Sequence, residues 1–244
     1  LYLLTRHCWP NNFKPMALNL ATLKTRSLTA VVFVAVMLVG LLWNSWSFLL
    51  LFTIVHFGCW YEFVKLMKKI YGEKFLPYCL FGLVYITMPV LMMIDLSTKW
   101  EIHTIDNVNR IIFTNIIPCA IIFSIWINDT MAYIVGSLIG KTPFSKISPK
   151  KTWEGTIGGA ILCIVVIAAV AYFSKLLPVK DAAIIAALCA IFGTMGDLFE
   201  SKLKRMADVK DSGTIMPGHG GFLDRFDSLL FAAPAVWFFV KLFM

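Results

Sequence analysis

Charge is scarce in this chain. Asp, Glu, Lys and Arg make up 15% of its residues, against about 25% in soluble domains. Histidine occurs four times, and the six cysteines (Cys8, Cys59, Cys79, Cys119, Cys163 and Cys189) form no C-x-x-C pair. All but Cys8 sit in or beside apolar segments, so they read as small buried hydrophobes and not as disulfides or a zinc site. No G-x-x-x-x-G-K-[ST] phosphate loop is present. Gly136-x-x-x-Gly140-Lys141-Thr142 comes near, but its glycines stand one residue too close and suit helix packing of the small-xxx-small type. The apolar segments are continuous runs and not alternating ones, which argues against a β-barrel. No soluble basic module is left over to bind nucleic acid.

What fills the chain is apolar: 59% of 244 residues are hydrophobic, with a mean hydropathy of +0.78. That composition predicts an all-α, polytopic integral membrane protein. Apolar segments fall at 28–43, 46–60, 75–94, 111–127, 130–140, 156–173, 182–200 and 229–244, giving an expectation of seven to nine transmembrane helices. Several are shorter than the roughly 20 residues of a straight span, so polar neighbours must be buried in protein or in a wet cavity. Residues 1–15 lack an apolar run and are read as a non-native or disordered arm, with Met16 a more natural start, and not as a cleavable signal peptide. Beyond them, 16–110 is expected to hold the N-terminal helices and 111–244 a catalytic region with two polar loops, all in one continuous membrane domain.

Lysine and arginine concentrate in the N-terminal arm, in 61–74, in 141–154 and in 202–210, while 95–110 carries more acid than base. The positive-inside rule puts the basic loops on the cytoplasmic side. This orientation conflicts with two full crossings at 111–127 and 130–140, so one of them is expected to be broken or partial around Asn128–Asp129. The net charge of +8 suits anionic lipid headgroups, although positive-inside bias accounts for most of it.

The densest polar stretch is Gly196 to Ser228, which holds six of the 14 acidic residues and five bases between two apolar segments. It contains an echo: Asp197-Leu-Phe-Glu200-Ser201 and Asp224-Arg225-Phe-Asp227-Ser228. In a helix, positions i, i+3 and i+4 share a face. Each pentad therefore aims two carboxylates and a hydroxyl one way, and two such faces could hold a hard cation such as Mg²⁺ with bases nearby for phosphates.

The run Ser201-x-x-Lys204-Arg205, Lys210-Asp211, Pro217-Gly218-His219-Gly220-Gly221 and Asp224-Arg225-x-Asp227 resembles the signature of the CDP-diacylglycerol synthases, or phosphatidate cytidylyltransferases. A second stretch is similar upstream: Asp129-Thr-x-Ala-Tyr133, Gly136, Gly140-Lys141-Thr-Pro143 and Ser148-Pro-Lys150-Lys151-Thr152-Trp-Glu154-Gly155. The resemblance covers residues 128–230. It implies that CTP and phosphatidic acid give CDP-diacylglycerol and pyrophosphate with Mg²⁺, and it leaves room for a second cation. It also implies a homodimer. One departure is Ser137, where many members carry a base; Lys141 is the residue that would take its place.

On this resemblance Asp197 and Asp224 bind the metal. The alternative for Asp224 is a helix cap or a pair with Arg225, whereas Asp197 follows an uncharged run, Ala182–Gly196, and would be partly desolvated. Glu200, Asp211 and Asp227 either complete the metal shell or pair with Lys204, Lys210 and Arg225. Gly218, Gly220 and Gly221 allow backbone N–H groups to approach a phosphate closely, and His219 either donates to phosphate or orders the turn. Ser148, Lys150, Lys151 and Thr152 read as a triphosphate-binding loop in which Thr152 also caps the next helix. Glu154 either closes that cap or touches the nucleotide. Asp129, an acid in an apolar region, faces the nucleotide or metal, or pairs with Lys141.

The expected chemistry is in-line transfer without a covalent intermediate, with Lys150, Lys151, Lys204, Arg205 and Lys210 sharing the two anions. The compact size suits a bacterial inner membrane, with the site facing the cytoplasm. A CTP-dependent polyprenol or phytol kinase is the nearer alternative. A transporter is the more distant one, disfavoured by the lack of two similar halves.

Overall fold

A chain in hydrocarbon must satisfy its backbone polar groups internally, and a helix does this segment by segment. The computed structural model describes residues 20–103, 108–145, 147–215 and 220–244, with side chains from residue 27 on, apart from 99–111. The arm at 1–15, Lys146, Pro217, Gly218 and His219 lie outside the described residues.

The helices are α1 (Leu20–Leu42), α2 (Ser45–Tyr71), the short α3 (Leu76–Cys79), α4 (Met88–Leu96), α5 (Ile116–Ile139), α6 (Trp153–Ser174), α7 (Val179–Met206) and α8 (Leu223–Phe243). A π turn, Leu83–Thr87, joins α3 to α4, so Leu76–Leu96 runs as one apolar span. Among the described residues, six segments are long and apolar enough to cross a membrane, and Ser27–Leu42 of α1 is a shorter apolar stretch. Together they reach the lower end of the expected seven to nine, and the chain is an all-α polytopic integral membrane protein. Side chains such as Val31, Phe57, Leu138, Val165 and Phe173 are exposed on the outer faces, which suits lipid and not water.

Three boundaries differ from the sequence expectation. The segments 111–127 and 130–140 are one continuous helix, α5, that carries Asn128 and Asp129 in its interior. This removes the conflict over orientation, because a single crossing now separates the acidic and basic loops. The basic stretch 61–74 is not a loop: α2 continues to Tyr71, and a 3₁₀ turn, Gly72–Lys74, follows. The polar stretch after α4 forms an antiparallel hairpin, β1 (Thr98–His103) and β2 (Val108–Phe113), with Thr98 opposite Phe113 and His103 opposite Val108.

Local chemistry sets the helix starts. Asn44 Oδ1 accepts from Ser47 N at 2.8 Å and Ser47 Oγ from Asn44 N at 3.1 Å, a reciprocal cap that allows α2 to begin with only Trp43 and Asn44 between it and α1. Thr152 Oγ1 accepts from Gly155 N at 3.1 Å and caps α6. Interhelical contact rests on small residues. A Cβ added at Gly159 of α6 would lie 2.6 Å from Ala132 N and 2.7 Å from Ala132 Cα of α5. The expected pair Gly136 and Gly140 does lie at this crossing, where Gly136 faces Gly155 and both stand against Thr152. The core that joins the two halves contains Phe48, Phe52, Phe63, Ile86, Ile121, Ile185 and Leu223, all fully buried.

Gly136 near the end of α5 stands against Thr152 at the start of α6, Lys204 near the end of α7 bonds Asp224 at the start of α8, and Lys151 of the α5–α6 loop pairs with Asp197 of α7. The end of α5, the start of α6, the end of α7 and the start of α8 therefore share one end of the bundle. Gly159→Ala is expected to force α5 and α6 apart and to destabilise the protein by about 1–3 kcal/mol. The outward-facing Ile161→Ala should change stability by less than about 0.5 kcal/mol. Unfolding midpoints in detergent check both.

Candidate active site

Where α5, α6 and α7 meet at that shared end, they enclose a cavity of about 400 Å³. Asp129 reaches it from α5, Asp197 from α7, and Lys150, Lys151 and Thr152 from the α5–α6 loop. Asn128 and Thr194, both buried, complete the inner wall. Lys151 forms an ion pair with Asp197 across the cavity, and Ser201 Oγ donates to Asp197 Oδ1 at 3.2 Å. Two bases and two acids thus face one water-accessible space at a helix N-terminus, a setting that accepts anions. Glu154 does not line the cavity. Its Oε1 accepts from Thr142 Oγ1 at 2.8 Å, and its carboxylate also receives the Lys141 and Thr142 amides at 3.2 Å, so it clamps the start of the loop to α6. Lys141 is exposed and Ser148 half-buried, and neither lines the cavity.

Both acidic pentads are helical, one near the end of α7 and one at the start of α8. Gly196 lets the two helices close: a Cβ there would lie 3.2 Å from Ser228 Cα and would collide with Asp227 O. The result is an acidic group of Asp197, Glu200 and Asp227, with one oxygen from each within 4.8 Å of the others. Glu200 is fully buried. Among the described residues its Oε1 has no hydrogen-bond partner, and its Oε2 has only the ion pair with Lys204. An under-satisfied buried carboxylate is costly without a cation, so this donor set fits a hard divalent ion.

Asp224, the second metal ligand implied by the sequence, stands in a different network. Its Oδ1 accepts from Lys204 Nζ at 2.6 Å. Its Oδ2 accepts from Ser212 N at 2.9 Å, Ser212 Oγ at 2.8 Å and Gly221 N at 2.8 Å. Lys204 therefore joins the two pentads by touching Glu200 and Asp224 together. Gly220 adopts a φ of 82°, a left-handed conformation that glycine takes without strain. Arg205, Lys210, Asp211 and Arg225 are exposed around the signature loop.

One carboxylate escaped the sequence reading. Glu62 of α2 is fully buried and accepts from Ser212 Oγ at 2.7 Å, Leu223 N at 2.8 Å and Phe222 N at 3.0 Å. A signal was available: Glu62 is the one charged residue between Ser45 and Val64, and an acid inside an apolar span defaults to a functional reading. Ending the apolar segment at residue 60 hid it. Ser212, which bridges Glu62 and Asp224, had no such signal.

With this geometry in hand, comparison with known proteins is informative. The Cytidylyltransferase family profile matches residues 103–243. A phosphatidate cytidylyltransferase of Rickettsia typhi is 34% identical over 230 residues, covering 90% of this chain and 92% of that protein. One from Bacillus subtilis is 46% identical over 121 residues, 49% of this chain and 45% of the relative. The chloroplastic phosphatidate cytidylyltransferase 4 of Arabidopsis thaliana is 43% identical over 114 residues, 46% of this chain and 29% of its own length. The matched stretch thus spans less than half of the Bacillus and Arabidopsis proteins but nearly all of the rickettsial one. The chain belongs to the Cytidylyltransferase family.

Proposed function

We propose that the protein is a phosphatidate cytidylyltransferase, which transfers the cytidylyl group of CTP to phosphatidic acid in the membrane. The observation that carries this reading is the cavity where Lys150 and Lys151 face Asp129 and Asp197 at one end of an apolar bundle. Such a site is open to a water-soluble nucleotide while its outer helix faces lie in lipid. The names of the relatives agree with it.

In this reading a phosphate oxygen of phosphatidic acid forms a bond to the α-phosphorus of CTP. The bond from that phosphorus to the bridging oxygen breaks, and pyrophosphate leaves with the electron pair. The attacking phosphate is already ionised, so no strong general base is needed, and the protein's task is positioning and charge neutralisation. Lys150 and Lys151 hold the triphosphate, and Glu154 keeps their loop against α6. Lys204 and Arg205 with Lys210 take the lipid phosphate near the signature loop, where Gly220 has no side chain to obstruct close approach, while the Gly221 N–H is held by Asp224. Asp197, Glu200 and Asp227 would hold Mg²⁺, which when bound offsets charge on the triphosphate and the departing pyrophosphate. Asp224 is engaged by Lys204, and it would join the metal ligands only once Lys204 had turned to a substrate phosphate. The active site faces the cytoplasm, as the clustering of basic loops at its end of the bundle suggests.

Purified protein supplied with Mg²⁺ and α-³²P-CTP should move label into lipid with phosphatidic acid and release pyrophosphate. Labelled CDP formed with a polyprenol would instead make it a lipid kinase and overturn the acceptor assignment. Asp197→Asn should lower kcat by about a hundredfold or more even at saturating Mg²⁺. Lys151→Ala is expected to raise KM for CTP by about tenfold or more, as steady-state kinetics would register.

A further inference from the structure

We infer that Glu62 is a positioning residue of the transfer site: its buried carboxylate ties α2 to Ser212 and the first turn of α8, and through them sets Asp224 and Lys204. This rests on the function proposed above. Glu62 lies outside the stretch matched by the family profile, 103–243, yet its three hydrogen-bond donors all belong to the signature segment between α7 and α8 or to its junction with α8.

The first amides of a helix have no partner within it. At α8 two of these, Phe222 N and Leu223 N, are satisfied by Glu62 from another helix, with a negative charge where the helix dipole favours one. The fit is steric as well. A Cβ on either Gly213 or Gly221 would collide with the Glu62 carboxylate, so both glycines leave room for it. The Ser212 hydroxyl lies 2.7 Å from Glu62 Oε2 and 2.8 Å from Asp224 Oδ2. Gly221, held against Glu62, also donates its N–H to Asp224. Asp224 in turn holds Lys204, which touches Glu200 of the acidic group. No described side chain of the α5–α6 loop takes part in this relay, so loss of Glu62 should disturb the signature loop and spare the Lys150–Lys151 cavity.

Glu62→Gln keeps the shape but replaces one acceptor by a donor, which leaves an amide at the α8 start unsatisfied. Hydrogen exchange of residues 220–223 in detergent-purified protein should quicken by about tenfold or more, and kcat for cytidylyl transfer should fall by a similar factor. KM for CTP should stay within about twofold, because its proposed pocket is untouched. Glu62→Asp should restore part of kcat. Ser212→Ala, a loop change that leaves α2 intact, should lower kcat in the wild-type background and much less in Glu62→Gln, since both act through one network. Unchanged exchange, unchanged kcat, additive losses, or a KM that rises as kcat falls would each overturn the inference. The exchange measurement needs no substrate. A wild-type chain that transfers no cytidylyl group would therefore overturn the proposed function, whereas slow exchange in Glu62→Gln would sink the positioning role by itself.

Discussion

A carboxylate taken out of water must find its donors or its cation inside the protein, and this demand organises one end of the bundle. Glu62, Glu200, Asp224 and Asp227 are buried or nearly so, and each has a different solution. Glu62 takes two backbone amides and a hydroxyl. Asp224 takes a lysine, two amides and the same hydroxyl. Asp227 is partly met by the Ser228 amide at 2.6 Å. Glu200 is left with Lys204 alone. The cost of that last arrangement is the physical reason the α7–α8 junction suits the cation proposed there.

Close helix approach makes the junction geometrically possible. In lipid, helices gain little from hydrophobic exclusion of one another and associate through packing and interhelical hydrogen bonds. Gly196 brings the two pentads face to face, and Gly155 and Gly159 bring α6 onto α5 beside Ala132. These contacts set the width of the cavity between α5, α6 and α7, so the residues that position the site are in part those with no side chain. The two lysines then enter from one loop, anchored by Thr152, which also lines the cavity, and by Glu154, which does not.

Much of the fold was legible because hydrophobic runs report lipid exposure directly, and α6, α7 and α8 lie close to where the apolar segments put them. The errors arose where polar residues interrupt such a run. Asn128 and Asp129 suggested a break in α5, yet they face a cavity instead of lipid, so the helix passes through them. The basic residues after Glu62 looked like a loop, but lysine tolerates the last turns of a helix, where its charge also meets the dipole favourably. The hairpin after α4 was announced only in part: Lys99-Trp100-Glu101-Ile102-His103 alternates polar and apolar residues, whereas Val108–Phe113 does not.

The sequence by itself determined the membrane location, the helical class and the two polar stretches that hold the candidate site, because composition and i, i+3, i+4 spacing act locally. Tertiary structure alone decided which carboxylates meet. Asp197 and Glu200, already on one helix face, find Asp227, Asp224 turns to Lys204 and Ser212, and Glu62 joins residues 150 or more positions away. Those pairings depend on helix crossings, and crossing geometry is a property of packed surfaces that no single stretch of sequence contains.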